Sequence, residues 1–138
     1  MGVGRRGVIY MSMKTKFKGI VWLGVRTKKF DELLDFYQNK MGLPVVHNTP
    51  GFRALDLPNG DRIEIFSEEY KDENGNDYQE FSTGPVAGFL VDNIDEAKSE
   101  MEAEGIKFIG VIGEGGSSKW AHFRGVDGNT YELKQMKN

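Results

Sequence analysis

Apolar and polar positions alternate strictly in the segment "IVWLGVRT": Val21, Leu23 and Val25 form one set, and Trp22, Gly24 and Arg26 the other. A period of two is the mark of a strand with two different faces. Downstream the period lengthens. Phe30, Leu33, Leu34, Tyr37 and Met41 fall on one face of a helix, with Gly42 at the position that ends it. Three short alternating runs follow, "PVVHN", "FRALDL" and "RIEIF", divided by Pro, Gly and Asn turns. The same succession then returns. "VAGFLVD" reads as a strand, and Asn93 caps a helix whose stripe is Ile94, Ala97 and Met101 and which stops at Gly105. "KFIGVI", "WAHFR" and "TYELK" are three further strands.

This succession is a repeat in the residues as well as the pattern. "NGDRIEI" (59–65) is echoed by "DGNTYEL" (127–133) at an offset of 68, which sets Glu64 against Glu132. Further upstream the offset is 64, with Phe30-Asp31-Glu32 over Ile94-Asp95-Glu96, so the second copy carries a four-residue insertion, placed in "GEGGSS" (113–118). Each copy is a βαβββ unit. We expect a tail over 1–17, then one domain over 18–136, made of a module at 18–67, an acidic linker at 68–84 and a module at 85–136. The first dozen residues, with Met11 and Met13 near their end, read as a tail with no secretory h-region.

One helix covers only one side of a four-stranded sheet, so the other side must meet something else. Alternation assigns Val21, Leu23, Val25, Ile63, Ile65, Ala87, Phe89, Val91, Tyr131 and Leu133 to the helix side. It leaves Trp22, Gly24, Arg26, Phe52, Ala54, Asp56, Arg62, Glu64 and Phe66 on the helix-free side of the first module. In the second it leaves Val86, Gly88, Leu90, Trp120, His122, Arg124, Thr130, Glu132 and Lys134. That mixture of aromatic, glycine and charged positions is the composition of a small-molecule cleft. Trp22, Arg26, Phe52, Arg62, Glu64, Phe66, Trp120, His122 and Glu132 are therefore the candidate ligand-binding residues, and none is singled out as catalytic. The competing reading makes the tryptophans fillers of the barrel, with Glu64 and Glu132 as strand charges neutralised by Arg26, Arg62 and Lys134. His47 is expected at the surface, by a turn, and "GEGGSS" as a mobile loop.

Composition narrows the partners. The net charge of −3 gives no field for nucleic acid, and carboxylates on the exposed sheet faces argue against an RNA-binding sheet. No apolar run approaches the length of a membrane span. The absence of cysteine removes disulfides, thiolate metal sites and a cysteine nucleophile, and fits a cytoplasmic location.

Four segments, "VRTKKFDELLDFYQNKMGLP", "LPNGDRIEIF", "VDNIDEAKSEMEAEGIKF" and "GVDGNTYELKQ", together resemble the vicinal oxygen chelate superfamily of glyoxalase I, ring-cleaving dioxygenases and fosfomycin- and bleomycin-resistance proteins. The resemblance spans roughly 18–136. It implies an α+β fold of two βαβββ modules in an open, U-shaped barrel with the helices outside, commonly as a homodimer. It also implies a divalent metal held by one residue from the first strand and one from the last strand of each module. Glu64 and Glu132 match the last-strand positions. The first-strand positions are Trp22 and Val86, which have no ligating atom, so a site of two histidines and a carboxylate is excluded. "RGVDGN" also lacks the proline usual in the family's last turn.

Three functions are consistent with these residues. The first is a metal-independent binding protein of the bleomycin-resistance type, holding an aromatic or amphipathic ligand, with no cofactor. The second is a lyase, isomerase or dioxygenase that uses a weakly bound divalent metal on Glu64, Glu132 and His122. The third is a ligand-free dimerisation or accessory domain. The first is the reading we carry forward.

Overall fold

A computed structural model describes residues 16–71 and 84–137. The N-terminal stretch expected to be a tail, up to residue 15, and the linker over 72–83 lie outside the described residues. The first module runs β1 (Ile20–Thr27), α1 (Phe30–Asp35) continuing as a π-helical turn (Phe36–Lys40), β2 (Val45–Thr49), β3 (Phe52–Asp56) and β4 (Arg62–Ser67). The second runs β5 (Val86–Leu90), α2 (Ile94–Ala103), β6 (Lys107–Glu114), β7 (Ser118–Arg124) and β8 (Thr130–Met136). The βαβββ order is thus present twice, and the fold is α+β. The described residues form two compact units, one of 20–71 with 84–88 and one of 89–137 with 16–19. The division falls inside β5.

In the first unit the strand order is β2-β3-β4-β1, with β1 parallel to β4 and the other pairs antiparallel. One side of this sheet packs on α1. Leu43, Leu55, Ile63 and Ile65 are buried there with Leu23, Phe30, Leu33, Leu34 and Tyr37 against them. Alternation of β1 and β4 explains this division, because Leu23, Ile63 and Ile65 share one phase of the pleat.

In the second unit β8 lies between β5 and β7, and β6 is at the far edge. The backbone N–H of Lys18 donates to Leu90 O, and Leu90 N–H donates to Gly19 O, which fixes the entering chain beside β5. Here α2 covers Val91, Ala121, Phe123 and Leu133 with Ile94, Ala97 and Met101. The expected cap is present: Asn93 Oδ1 accepts from Glu96 N–H at 2.9 Å. Gly105, with φ of 91°, ends the segment in the left-handed region. Burying this apolar stripe, more than helix propensity, holds such a short helix in place.

Four expectations need correction. Met41 is not in the α1 stripe but half exposed, because the chain switches to π bonding. Met41 N–H donates to Phe36 O, and the extra residue per turn swings Met41 off the face and brings Leu43 into the core. Val21 packs with the Trp22 cluster rather than with the helix, at the start of β1 before its pairing with β4 begins at Trp22. "GEGGSS" is a loop only at 115–117: Gly113 and Glu114 end β6, Ser118 begins β7 and is buried, and Gly115 N–H bonds Ser118 O across a tight hairpin turn. Part of the extra length is taken up instead by a bulge on β6 between Ile109 and Gly113, where Gly110 has φ of 71°. His47 is exposed as expected but lies within β2, not at a turn after it.

Candidate functional site

The helix-free face of the first module is mostly aromatic. Trp22 and Phe66 are buried with Val86, the first residue of β5, and Val21, Phe52 and Tyr70 pack against them. Phe52, Phe66 and Tyr70 form a ring trio with centroids 5.3 to 5.5 Å apart. Trp22 lies along its own strand over Gly24, where a Cβ would overlap the indole, so glycine is required there by the ring and not by the backbone. Arg26, also buried, stands at the end of this wall over the Phe66 ring. Its Nη1 donates to the carbonyls of Ser67, Glu68 and Tyr70 at 2.9 to 3.1 Å. These bonds curl the chain after β4 so that Tyr70 reaches Phe52. Arg62 donates from Nε to Asp56 at 2.9 Å across the β3–β4 pair, in a half-buried ion pair. Glu64 faces the same side, half-buried, beside Ala54 in the register.

The helix-free face of the second module is polar at its centre. His122 and Glu132 stand directly opposite each other on β7 and β8. His122 Nε2 and Glu132 Oε1 are 2.9 Å apart, with the two residues 5% and 3% exposed. The bond uses one carboxylate oxygen. The other, Oε2, is buried and has no hydrogen-bond partner among the described residues. Lys134 Nζ stands 4.0 Å from it, a charge contact too long for a hydrogen bond. Lys134 also lies over the Trp120 ring, 5.9 Å from its centroid. Trp120 is the cross-strand partner of Lys134, and its indole covers Gly113 of β6, where a Cβ would again collide with the ring.

The sequence-derived candidates therefore fall into two groups. Trp22, Arg26, Phe52, Arg62, Glu64 and Phe66 line one face of the first module, and Trp120, His122 and Glu132 line one face of the second. Reading the sequence missed two participants. Lys134 was assigned only as a neutralising charge, although it shares its phase with Glu132 and faces Trp120. Tyr70 belongs to a stretch with no periodicity, so no pattern pointed to its place among the phenylalanines.

A carboxylate with an imidazole nitrogen on one oxygen is held in orientation, and its second oxygen offers a strong acceptor in a dry setting. The metal positions that the resemblance assigns to the first strands are occupied by Trp22 and Val86, at 4% and 1% exposure within one apolar cluster. Among the described residues there is no group of three or more His, Cys, Asp or Glu that could hold a metal ion. The donor set does not fit the family's metal. No helix among the described residues is long and apolar enough to cross a membrane.

Comparison with known proteins agrees with this architecture. The family profile described as Glyoxalase/Bleomycin resistance protein/Dioxygenase superfamily matches residues 19–133. Methylmalonyl-CoA epimerase from Mycobacterium tuberculosis superposes with a TM-score of 0.68 at 16% identity, covering 99% of this chain and 97% of that one. The Mn(II)-bound glyoxalase from Novosphingobium aromaticivorans gives 0.65 at 16% identity, covering 88% of this chain and 40% of its own. A hypothetical protein from Bacillus halodurans gives 0.66 at 17%, covering 91% and 97%. At these identities the likeness is one of fold. No curated protein matches the sequence.

Proposed function

The chain belongs to the Glyoxalase/Bleomycin resistance protein/Dioxygenase superfamily, and within it we propose that this protein binds an aromatic or amphipathic small molecule without a transition metal. The observation that carries this reading is Glu132: a buried carboxylate oriented by His122, with Oε2 left without a hydrogen-bond partner among the described residues. An unsatisfied buried acceptor of this kind costs about 1–3 kcal/mol, and a ligand donor would recover that loss. Lys134, half-buried, stands beside it as a cation, with its ammonium over the half-buried Trp120 ring, which supplies a flat apolar surface. The aromatic wall around Trp22 suits the same class of ligand. With Trp22 and Val86 filling the first-strand metal positions, the protein's own polar groups carry recognition.

The test uses chelator-treated protein, titrated with a panel of aromatic and amphipathic compounds while the melting temperature and tryptophan fluorescence are followed. At least one chemical group should raise the melting temperature and quench fluorescence, and Glu132→Gln should abolish both responses. A panel that moves neither signal would remove the basis for this reading.

A second reading, a divalent-metal-dependent lyase, isomerase or dioxygenase, would have to work with the incomplete donor set of His122 and Glu132, and its support is a structural relative described as Mn(II)-bound. Elemental analysis of untagged protein separates the two: near-stoichiometric Mn, Zn or Ni supports the enzyme, and substoichiometric metal supports the binding protein.

A further inference from the structure

Ligand charge is constrained by the three groups around Glu132. Glu132 Oε1 is taken by His122 Nε2 at 2.9 Å, and Oε2 has the Lys134 ammonium at 4.0 Å. The Glu132 carboxylate already has the Lys134 ammonium beside it, so a cationic ligand meets Lys134 at close range. An anionic ligand meets the carboxylate itself. Desolvating either would cost several kcal/mol with no full partner to offset it. What the geometry lacks is a hydrogen-bond donor at Oε2, on a face where the Trp120 ring lies on the far side of the Lys134 ammonium. Trp120 provides an aromatic surface there in a fixed orientation, because its indole covers Gly113 and has Lys134 over the ring.

Resting on the binding role proposed above, we infer that the site takes a neutral aromatic molecule bearing an N–H or O–H donor, which Glu132 Oε2 accepts while the ring lies beside Trp120. The equivalent positions in the first module, Ala54, Glu64 and Phe66, do not reproduce the arrangement: alanine replaces the histidine and phenylalanine the lysine. The donor-recognising subsite belongs to the second module.

Four matched probes test this on the full chain by two-dimensional NMR, with the Trp120 indole N–H resonance as reporter. They are indole, a neutral donor; 1-methylindole, the same ring without the donor; tryptamine, a cation; and indole-3-acetate, an anion. Indole should shift the Trp120 resonance and bind about tenfold more tightly than 1-methylindole, the worth of one hydrogen bond to a charged acceptor. In Glu132→Gln the ratio should fall to about one. The wild-type ratio stands alone should that variant fail to fold. Equal binding of indole and 1-methylindole, as a fixed water on Oε2 would produce, overturns the inference and leaves the binding role intact, as does a preference for tryptamine or indole-3-acetate. If no probe moves the Trp120 resonance, the inference falls, and the binding role is then decided by the wider panel described above.

Discussion

The helix-free faces of the two modules are built on one lattice and carry different chemistry. On β3 and β4 the cross-strand pairs are Phe52 with Phe66, Ala54 with Glu64, and Asp56 with Arg62. On β7 and β8 the pairs at the repeat-related positions are Trp120 with Lys134, His122 with Glu132, and Arg124 with Thr130. The backbone register is the same in each. In the first, the end pair is aromatic and closes over Tyr70, so the wall is apolar and its glutamate is left half-buried. In the second, histidine and lysine replace alanine and phenylalanine, and the glutamate becomes a buried, oriented group. Duplication preserved where side chains point, while substitution at two positions decided what the glutamate does.

The comparison can be broken most directly at its apolar side. Trp22→Ala should cost about 3–5 kcal/mol in urea denaturation, as for loss of a fully buried aromatic. Trp120→Ala should cost distinctly less because its indole is half-buried. Equal losses would show that the two walls are alike in packing. The glutamates come next. Glu132→Ala removes the buried His122–Glu132 bond and should cost about 2–3 kcal/mol, whereas Glu64→Ala should cost about 1 kcal/mol or less. A reversed order would refute the assignment of the polar centre to the second module.

Both tryptophans lie over a glycine, which permits a finer test. Gly24→Ala and Gly113→Ala should each cost about 1–3 kcal/mol, with the larger value at Gly24 because the buried Trp22 ring has less room to move. In crystals of Gly113→Ala the Trp120 ring should be displaced; an unmoved ring would contradict the contact.

The smallest effect is expected at the turn before β8. Tyr131 O–H donates to Asp127 at 2.7 Å, and this bond is the main cause holding the Asp127 carboxyl below its ordinary value. A lowered folded-state value means that its contribution is present above the unfolded aspartate value and is lost as pH falls through the folded one. Tyr131→Phe should therefore lower the melting temperature by about 1–2 °C at neutral pH, and the two chains should converge in strong acid. A difference that persisted there would mean the hydroxyl acts through packing.

Local rules made much of this legible. The α2 cap and stripe need only Asn93, Ile94, Ala97 and Met101, all within a few residues, and the structure holds them as read. The pleat assigned Glu132, His122 and Trp120 to one side because a period of two leaves no freedom. Trp22 and Val86 could be ruled out as metal ligands from their side-chain chemistry alone. Met41 could not be placed, since the π turn depends on Leu43 reaching the core. The unequal fates of Glu64 and Glu132 were hidden too, because burial is decided by cross-strand neighbours and not by the motif the two share. Tyr70 depends on the Arg26 guanidinium, 44 residues away in the chain.

Isothermal titration of Mn(II), and then Zn(II), into chelator-stripped wild-type protein tests the central claim most directly, that polar groups of the protein rather than a metal carry recognition. The account predicts no saturable heat at micromolar metal, with the Glu132→Gln protein behaving the same way. A stoichiometric transition in the low micromolar range, abolished by Glu132→Gln or His122→Ala, would contradict it.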